Sequence, residues 1–257
     1  MRLLTLARDL RRRRARDRQE LFVAEGVRAV EELLRSPLRV RGVLVSPALP
    51  TDERGSALTH SLTQSGIPTQ SVSAEELATA ADTETPQGVL AIAEIPERTL
   101  ADVPSSETFR LLVLDAVQDP GNVGTMLRTA AALGTLATLA LPGTVDLWNV
   151  KVVRSAMGAH FHYPAIACTW AELSTFLSDR GATLWGADGG GERLDDVLHP
   201  GARAPARLAL AVGNEGSGLS RQVRERADRV VALPIAPAVE SLNVAVAAGI
   251  ILYELRR

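Results

Sequence analysis

The chain has 257 residues, enough for two modest domains or one large one, and 46% of them are apolar, which permits a full core. A formal net charge of -2 gives no global sign of nucleic-acid binding, and a single cysteine, Cys168, excludes a disulfide framework and a cysteine-rich zinc site. No run approaches the roughly 20 apolar residues of a membrane span. The basic amino terminus also lacks the apolar stretch of a secretory signal, so the expectation is a cytoplasmic protein.

Leu3 to Arg18 reads as an amphipathic helix carrying Arg11, Arg12, Arg13, Arg14, Arg16 and Arg18. Such a run suits phosphate backbone without reading sequence. The plainer alternative is a solvated arm whose arginines pair with nearby acids. Lys151 is the only lysine, and that bias weakens any argument from a single arginine.

LFVAEG (Leu21 to Gly26) then reads as a short strand and turn, and VRAVEELLRS as an amphipathic helix. RVRGVLVSP is a strand over roughly Arg39 to Val45. DERGSALTHSLTQSG is a weaker helix, PTQSVS is extended, and EELATAAD is helical. TPQGVLAIAEI (Thr85 to Ile95) is a closing strand, with Gln87 and Gly88 at its head either facing a partner or forming a plain turn. Alternation of short strands and helices predicts a small α/β domain over 1–96. Residues 97–108, with prolines, acids and paired serines, are the expected linker.

A second α/β domain is expected over 109–257. RLLVLD is a buried strand, AVQDPGN a turn with Asp119, Pro120, Gly121 and Asn122, and VGTMLRTAAALG a helix ending at Gly134. Arg128 lies six residues after Asn122, within reach of the same helical end but not on an ideal shared face. LATLALPGTVDLW supplies a strand and turn, and NVKVVRSAMGAHFHYP a helix and short strand. His160 and His162 alternate there as on one strand face, but no acid or cysteine stands at ligand spacing, so no metal is expected. TWAELSTFLSDRG is a helix capped near Thr169, ATLWGAD a strand, and GGGERLDDVLHPGARAP a flexible polar connection. Neither a GxGxxG fingerprint nor a GxxxxGK[ST] phosphate loop is present.

Two strand–loop–helix segments end the chain: ARLALAVGNEGSGLS (Ala206 to Ser220) and RVVALPIAPAVESLNVAVAAGIILYE (Arg229 to Glu254). Ligands of open α/β folds sit at the carboxyl ends of strands, so two such loops together suggest one pocket. Gly213, Gly216 and Gly218 allow sharp turns or close approach to a ligand. Glu215 can accept hydrogen bonds from ligand or backbone. Asn243, in an apolar helix, must be hydrogen-bonded if buried; a helix-start contact from Ser241 or Asn243 is the plainer account.

Three segments in this order, DAVQDPGNVGTMLRTA (Asp115 to Ala130), LALAVGNEGSGLS (Leu208 to Ser220) and LPIAPAVESLNVAVAAGI (Leu233 to Ile250), resemble the SpoU-type (TrmH-type) RNA ribose 2'-O-methyltransferases of the SPOUT class. The resemblance covers roughly Phe109 to Arg257. The part with LFVAEG and TPQGVLAIAE is similar to the small L30e-like substrate-binding domain that precedes many of these catalytic domains.

The resemblance implies an α/β SPOUT domain with a mostly parallel sheet and a deep trefoil knot, against the general rule that chains are unknotted. It also implies S-adenosylmethionine bound in the knot, a homodimer, and transfer to structured RNA, with ribosomal RNA ahead of transfer RNA. Arg128 and Asn122 match the first motif, Glu215 the second, and Ser241 and Asn243 the third. The resemblance assigns these five to catalysis, and it fixes no cofactor contact beyond the strand end at position 212, a valine. Two positions depart from the pattern: Pro237, where glycine is common, and Ala245, where serine is common. A non-catalytic RNA-binding factor that kept the fold, and a nucleotide-using α/β enzyme of another kind, stay open as rivals.

Overall fold

The computed structural model describes residues 2–199 and 201–256. They pack as two compact units: the chain up to Glu97 together with Trp148–His162, and Arg98–Leu147 together with the chain from Tyr163 onward. No described helix is long and apolar enough to cross a membrane.

The first unit runs α1 (Leu3–Asp9), α2 (Arg13–Gln19), β1 (Leu21–Glu25), α3 (Val27–Arg35), β2 (Val40–Val45), α4 (Glu53–Ser65), β3 (Thr69–Ser71), α5 (Ala74–Ala80) and β4 (Val89–Glu94). The sheet order is β1-β4-β2-β3; β4 is antiparallel to both neighbours and β3 parallel to β2. Leu44, Leu77, Leu90 and Ile92 pack in its core with Leu4, Ala7 and Leu10. The helix expected over Leu3 to Arg18 is two helices, because the chain turns extended at Arg12. Arg16 is buried at this break, and its guanidinium donates to the carbonyls of Leu10 (2.8 Å) and Arg11 (3.0 Å). That arginine therefore closes a helix end.

The other unit runs β5 (Phe109–Leu114), α6 (Pro120–Ala132) and β6 (Ala137–Ala140). Helices α7 (Val150–Ala156) and α8 (Ala159–His162) follow in the chain but pack in the first unit. Next come β7 (Ala165–Ala167), α9 (Trp170–Arg180), β8 (Thr183–Arg193), α10 (Leu194–Val197), β9 (Arg207–Val212), α11 (Arg221–Arg226), β10 (Arg229–Ala232) and α12 (Val244–Glu254). The six strands form a parallel sheet ordered β10-β8-β9-β5-β6-β7. Strands β5, β6 and β9 are buried almost throughout, as expected for parallel strands covered on both faces. The order departs in opposite directions from β5, which creates a crevice at the carboxyl ends of β5 and β9.

Three local expectations change, and a fourth position is resolved between two alternatives. The α6 helix begins at Pro120 and not beyond Asn122, because Asp119 caps it by accepting from the Asn122 N–H (2.7 Å) and proline suits its first position. His160 and His162 lie on the helical turn α8, not on a strand, and the His160 ring stacks on Trp148 at 4.0 Å. The expected flexible connection after Asp188 is partly ordered, because β8 continues to Arg193 through a register shift against β10. Gly191 permits this, since a Cβ there would sit 2.7 Å from Val230 backbone. Asn243 precedes α12 as its cap, the plainer of the two accounts the sequence left open.

Candidate active site

The crevice is built from the loops that follow β5, β9 and β10. After β9 the backbone doubles back, with Asn214 and Gly218 exchanging two backbone hydrogen bonds of 2.9 Å. The Asn214 carboxamide pins the turn: its oxygen accepts from the N–H groups of Gly216 (2.9 Å) and Ser217 (3.0 Å), and its nitrogen donates to the Ala116 carbonyl (3.0 Å). The buried Asp115 carboxylate accepts from the Ser220 N–H at 2.6 Å. Two side chains thus tie the β9 loop to the β5 loop.

Glu215 projects from this turn across to the start of α6. Its carboxylate accepts from the backbone N–H groups of Gln118 (3.2 Å) and Asp119 (3.1 Å) and from Asn122 Nδ2 (3.0 Å). Asn122 Oδ1 in turn accepts from Asn243 Nδ2 at 2.8 Å. Asn243 Oδ1 accepts from the Ala245 (2.9 Å) and Val246 (3.3 Å) N–H groups, capping α12. An ionised carboxylate can only accept, so Asn122 must point its nitrogen at Glu215 and its oxygen at Asn243. That leaves the Asn243 oxygen for the helix end. One acid sets the orientation of both amides.

Partial burial pulls the Glu215 carboxyl upward, but the bonds from Asn122 and the backbone outweigh it and hold it below the usual carboxylate range. A group depressed in the folded state stabilises above its unfolded value, about 4.3, and loses that contribution as pH falls through its folded value. The loop tether should therefore be constant at neutral pH and loosen only in acid. Limited proteolysis at Gly213–Gly218 across the range from pH 7 to below 4 should show protection lost late in the native chain. Glu215→Gln should show reduced protection already at neutral pH, and equal protection there would refute the tether.

A cavity of about 390 Å3 lies beside this chain of bonds, lined by Asp188, Gly189, Val212 to Glu215, Gly218, Val231 to Leu233, Ile235 and Glu240 to Val244. Its size suits a small ligand. Ser241 and Val212 both line it, and the Asn122–Asn243 bond separates it from an open groove where Thr125 and Thr129 of α6 face Gly249 and Tyr253 of α12. Arg128 stands apart from the other sequence-predicted residues: it is exposed on α6 and lines neither space. At 100° per residue it is turned roughly 120° from Asn122 around the helix. Pro237 sits in the turn closed by the Val239 N–H and the Ala236 carbonyl, a position its fixed φ suits. Ala245 meets Asn243 through its backbone, so the loss of a serine hydroxyl there leaves the cap intact.

Sequence reasoning missed Asp115, Asn214 and the pair of Asp188 with Arg224 (2.5 Å), which braces the cavity wall at β8. Asp115 directly follows the last apolar residue of a buried strand and Asn214 comes two residues after one, a placement that marks strand-end polar residues as loop anchors.

The fold and these loops define an α/β protein that binds a small ligand at the carboxyl ends of a parallel sheet, beside polar side chains drawn from three loops. The family model described as the SpoU rRNA Methylase family matches residues 110–253, and that of the MRM3-like substrate binding domain matches residues 5–91. The 23S rRNA (guanosine(2553)-2'-O)-methyltransferase RlmP of Bacillus subtilis is 36% identical over 252 residues, 97% of this chain and 94% of that protein. The 23S rRNA (guanosine-2'-O-)-methyltransferase RlmB of Haemophilus influenzae is 35% identical over 241 residues, 90% of this chain and 96% of its own. Among solved structures, the SpoU methyltransferase AviRb from Streptomyces viridochromogenes in complex with AdoMet superposes with a TM-score of 0.87 at 27% identity, covering 99% of this chain and 97% of that one. The chain belongs to the SpoU methylase family.

Proposed function

We propose that this protein transfers the methyl group of S-adenosylmethionine to a ribose 2'-hydroxyl of structured RNA, with ribosomal RNA as the substrate. The observation that carries the reading is the Glu215–Asn122–Asn243 chain of hydrogen bonds beside the strand-end cavity, in a chain of the SpoU family. RlmP and RlmB, named for ribosomal RNA and matched over nearly the whole chain, support ribosomal RNA over transfer RNA.

The cavity fits the cofactor. Val212, Val231, Leu233 and Ile251 give apolar walls, Glu240 gives a carboxylate beside Asp188 and Glu215, which already bond Arg224 and Asn122, and among the described residues no basic side chain lines it. Such a lining favours a cation attached to an apolar group, which describes a sulfonium on adenosine. The bound group would supply an electrophilic methyl carbon. The backbone around Val212, Gly213 and Leu233 would hold it, and Ser241 and Asn243 would fix the loop that closes over it. Glu215 and Asn122 would keep the three motif loops in register. Arg128 presents a fork of five N–H donors and no acceptor. It would grip the phosphate next to the target ribose and so hold the 2'-hydroxyl in line, a positioning effect large enough to dominate the rate.

The protein would act as a homodimer. Leu242 just before α12 and Val246, Ile250 and Tyr253 on it form an exposed apolar stripe, between 38% and 51% accessible, of the kind that marks an interface. A second copy docked there would also meet Arg128 on the neighbouring helix α6. The domain plan proposed is 1–96 for substrate, 97–108 as linker and 109–257 for catalysis, with Trp148–His162 lent to the first unit. A knotted carboxyl-terminal chain and a cytoplasmic location complete the reading.

The test incubates purified protein and S-adenosylmethionine with unmodified ribosomal and transfer RNA separately, then quantifies 2'-O-methylnucleosides by mass spectrometry. A methylated ribose in ribosomal RNA is the expected product. Product in transfer RNA alone would move the substrate, and failure to bind the cofactor would favour the non-catalytic rival.

A further inference from the structure

We propose that the first unit binds the sugar–phosphate backbone of RNA in the cavity bordered by Arg28, Arg54 and Arg154. The inference rests on the RNA methyltransferase reading and says where this unit meets its substrate. The cavity measures about 460 Å3 and lies where the β1–α3 junction, the start of α4 and the loop before β4 meet Arg154 of α7.

Its lining holds two acids, and both are spent on the fold. Glu25, buried at the end of β1, accepts from the N–H groups of Asp82 (2.8 Å) and Thr83 (3.1 Å) and from the Thr83 hydroxyl. Asp52 caps α4 by accepting from the Gly55 N–H at 2.8 Å. What remains to face a ligand is donors. Arg54 is braced by Glu31 through two contacts of 2.7 and 2.5 Å, and Arg154 by Asp82 at 3.1 Å and by Glu25 at 4.0 Å, each keeping its remaining N–H groups for a ligand. Arg28 is exposed and forms no ion pair among the described residues. The Gln87 oxygen is occupied by the Val27 N–H (3.1 Å), which leaves its NH2 group as a further donor. Gly26, with φ +95° and a would-be Cβ 2.9 Å from that oxygen, lets Gln87 approach.

Three guanidinium forks around one cavity match phosphate oxygens, which accept in the same planar, two-pronged geometry. The space exceeds that of one phosphate group and suits a nucleotide within a strand. The family model matched over residues 5–91 describes a substrate-binding domain, and Arg154 lies outside that range. The site is therefore assembled from two distant stretches of chain, and the amino-terminal segment alone would lack one of its three cations.

The experiment measures binding of the full-length protein to transcribed ribosomal RNA by filter retention over a range of salt, for the native chain, Arg28→Ala and Arg154→Lys. Arg28→Ala should bind roughly tenfold more weakly and lower the salt slope by about one. Arg154→Lys, which keeps the charge but loses the fork, should weaken binding without changing the slope. S-adenosylmethionine affinity, read by calorimetry, should stay at the native value in both. Arg28 has no ion pair to lose, so its variant decides the matter if Arg154→Lys folds poorly. Native affinity and slope in Arg28→Ala would overturn the site while leaving the enzyme reading intact. A native protein that binds no ribosomal RNA would overturn both.

Discussion

Replacing Arg128 with alanine should lower methyl transfer by about 10²–10³-fold, the scale expected when one preorganised charge is removed from a reaction centre. S-adenosylmethionine affinity and the melting temperature should stay unchanged, because Arg128 is exposed on α6 and lines neither the cavity nor the groove beside it. That combination separates a role toward substrate from a role in folding. The same geometry raises a second expectation. If the homodimer proposed above carries Arg128 of one copy to the cavity of the other, the two lesions complement each other. Mixing Arg128→Ala with Asn243→Ala, each impaired alone, should then raise activity above that of either, since one mixed site pairs an intact arginine with an intact asparagine. Full turnover by Arg128→Ala would sink the assignment, and no recovery on mixing would confine the arginine to its own subunit.

The sequence made some of this legible because the relevant physics is local. RLLVLD, RLALAV and RVVALP are short apolar runs bounded by turn residues, and they became the buried strands β5 and β9 and the half-buried edge strand β10. Polar residues at the ends of such runs then had to lie at one edge of the sheet, which placed Asn122, Glu215, Ser241 and Asn243 around one crevice. Who bonds whom was not local. The acceptor-only Glu215 decides the amide orientations of two asparagines on distant stretches, and no spacing encodes that. The register shift that lets β8 run on past Gly191 depends on the Val230 backbone, nearly forty residues later. Trp148 and Phe161 were equally opaque. Their rings pack on Phe22 at 4.5 and 5.8 Å, so their stretch joins the first unit, although nothing in its periodicity names a partner.

Gly213→Ala should be nearly as damaging as the loss of the arginine, for a purely steric reason. A Cβ at this position would lie 2.2 Å from the Gly218 carbonyl carbon and 2.3 Å from the Leu219 nitrogen. Both are backbone atoms, so no side-chain rotation relieves the clash and the turn must open. Opening separates Asn214 from Gly218, whose paired backbone bonds close the loop, and draws Glu215 away from Gln118, Asp119 and Asn122. Overpacking of this kind costs about 1–3 kcal/mol, which for a chain of this size lowers the melting midpoint by roughly 2–12 °C. The larger effect falls on catalysis, because a displacement near 1 Å in a positioning loop is worth about a hundredfold in rate. Cofactor affinity should fall as well, since Val212 to Glu215 form one wall of the cavity. Gly216→Ala is the matched control: the same methyl three residues later would meet Asn214 Oδ1 at an ordinary 3.6 Å and should leave stability and turnover near native values. Equal damage from both substitutions would mean that the loop fails through lost glycine flexibility and not through the contact with Gly218. Tolerance of Gly213→Ala would mean that the Glu215 bridge does not need the closed turn.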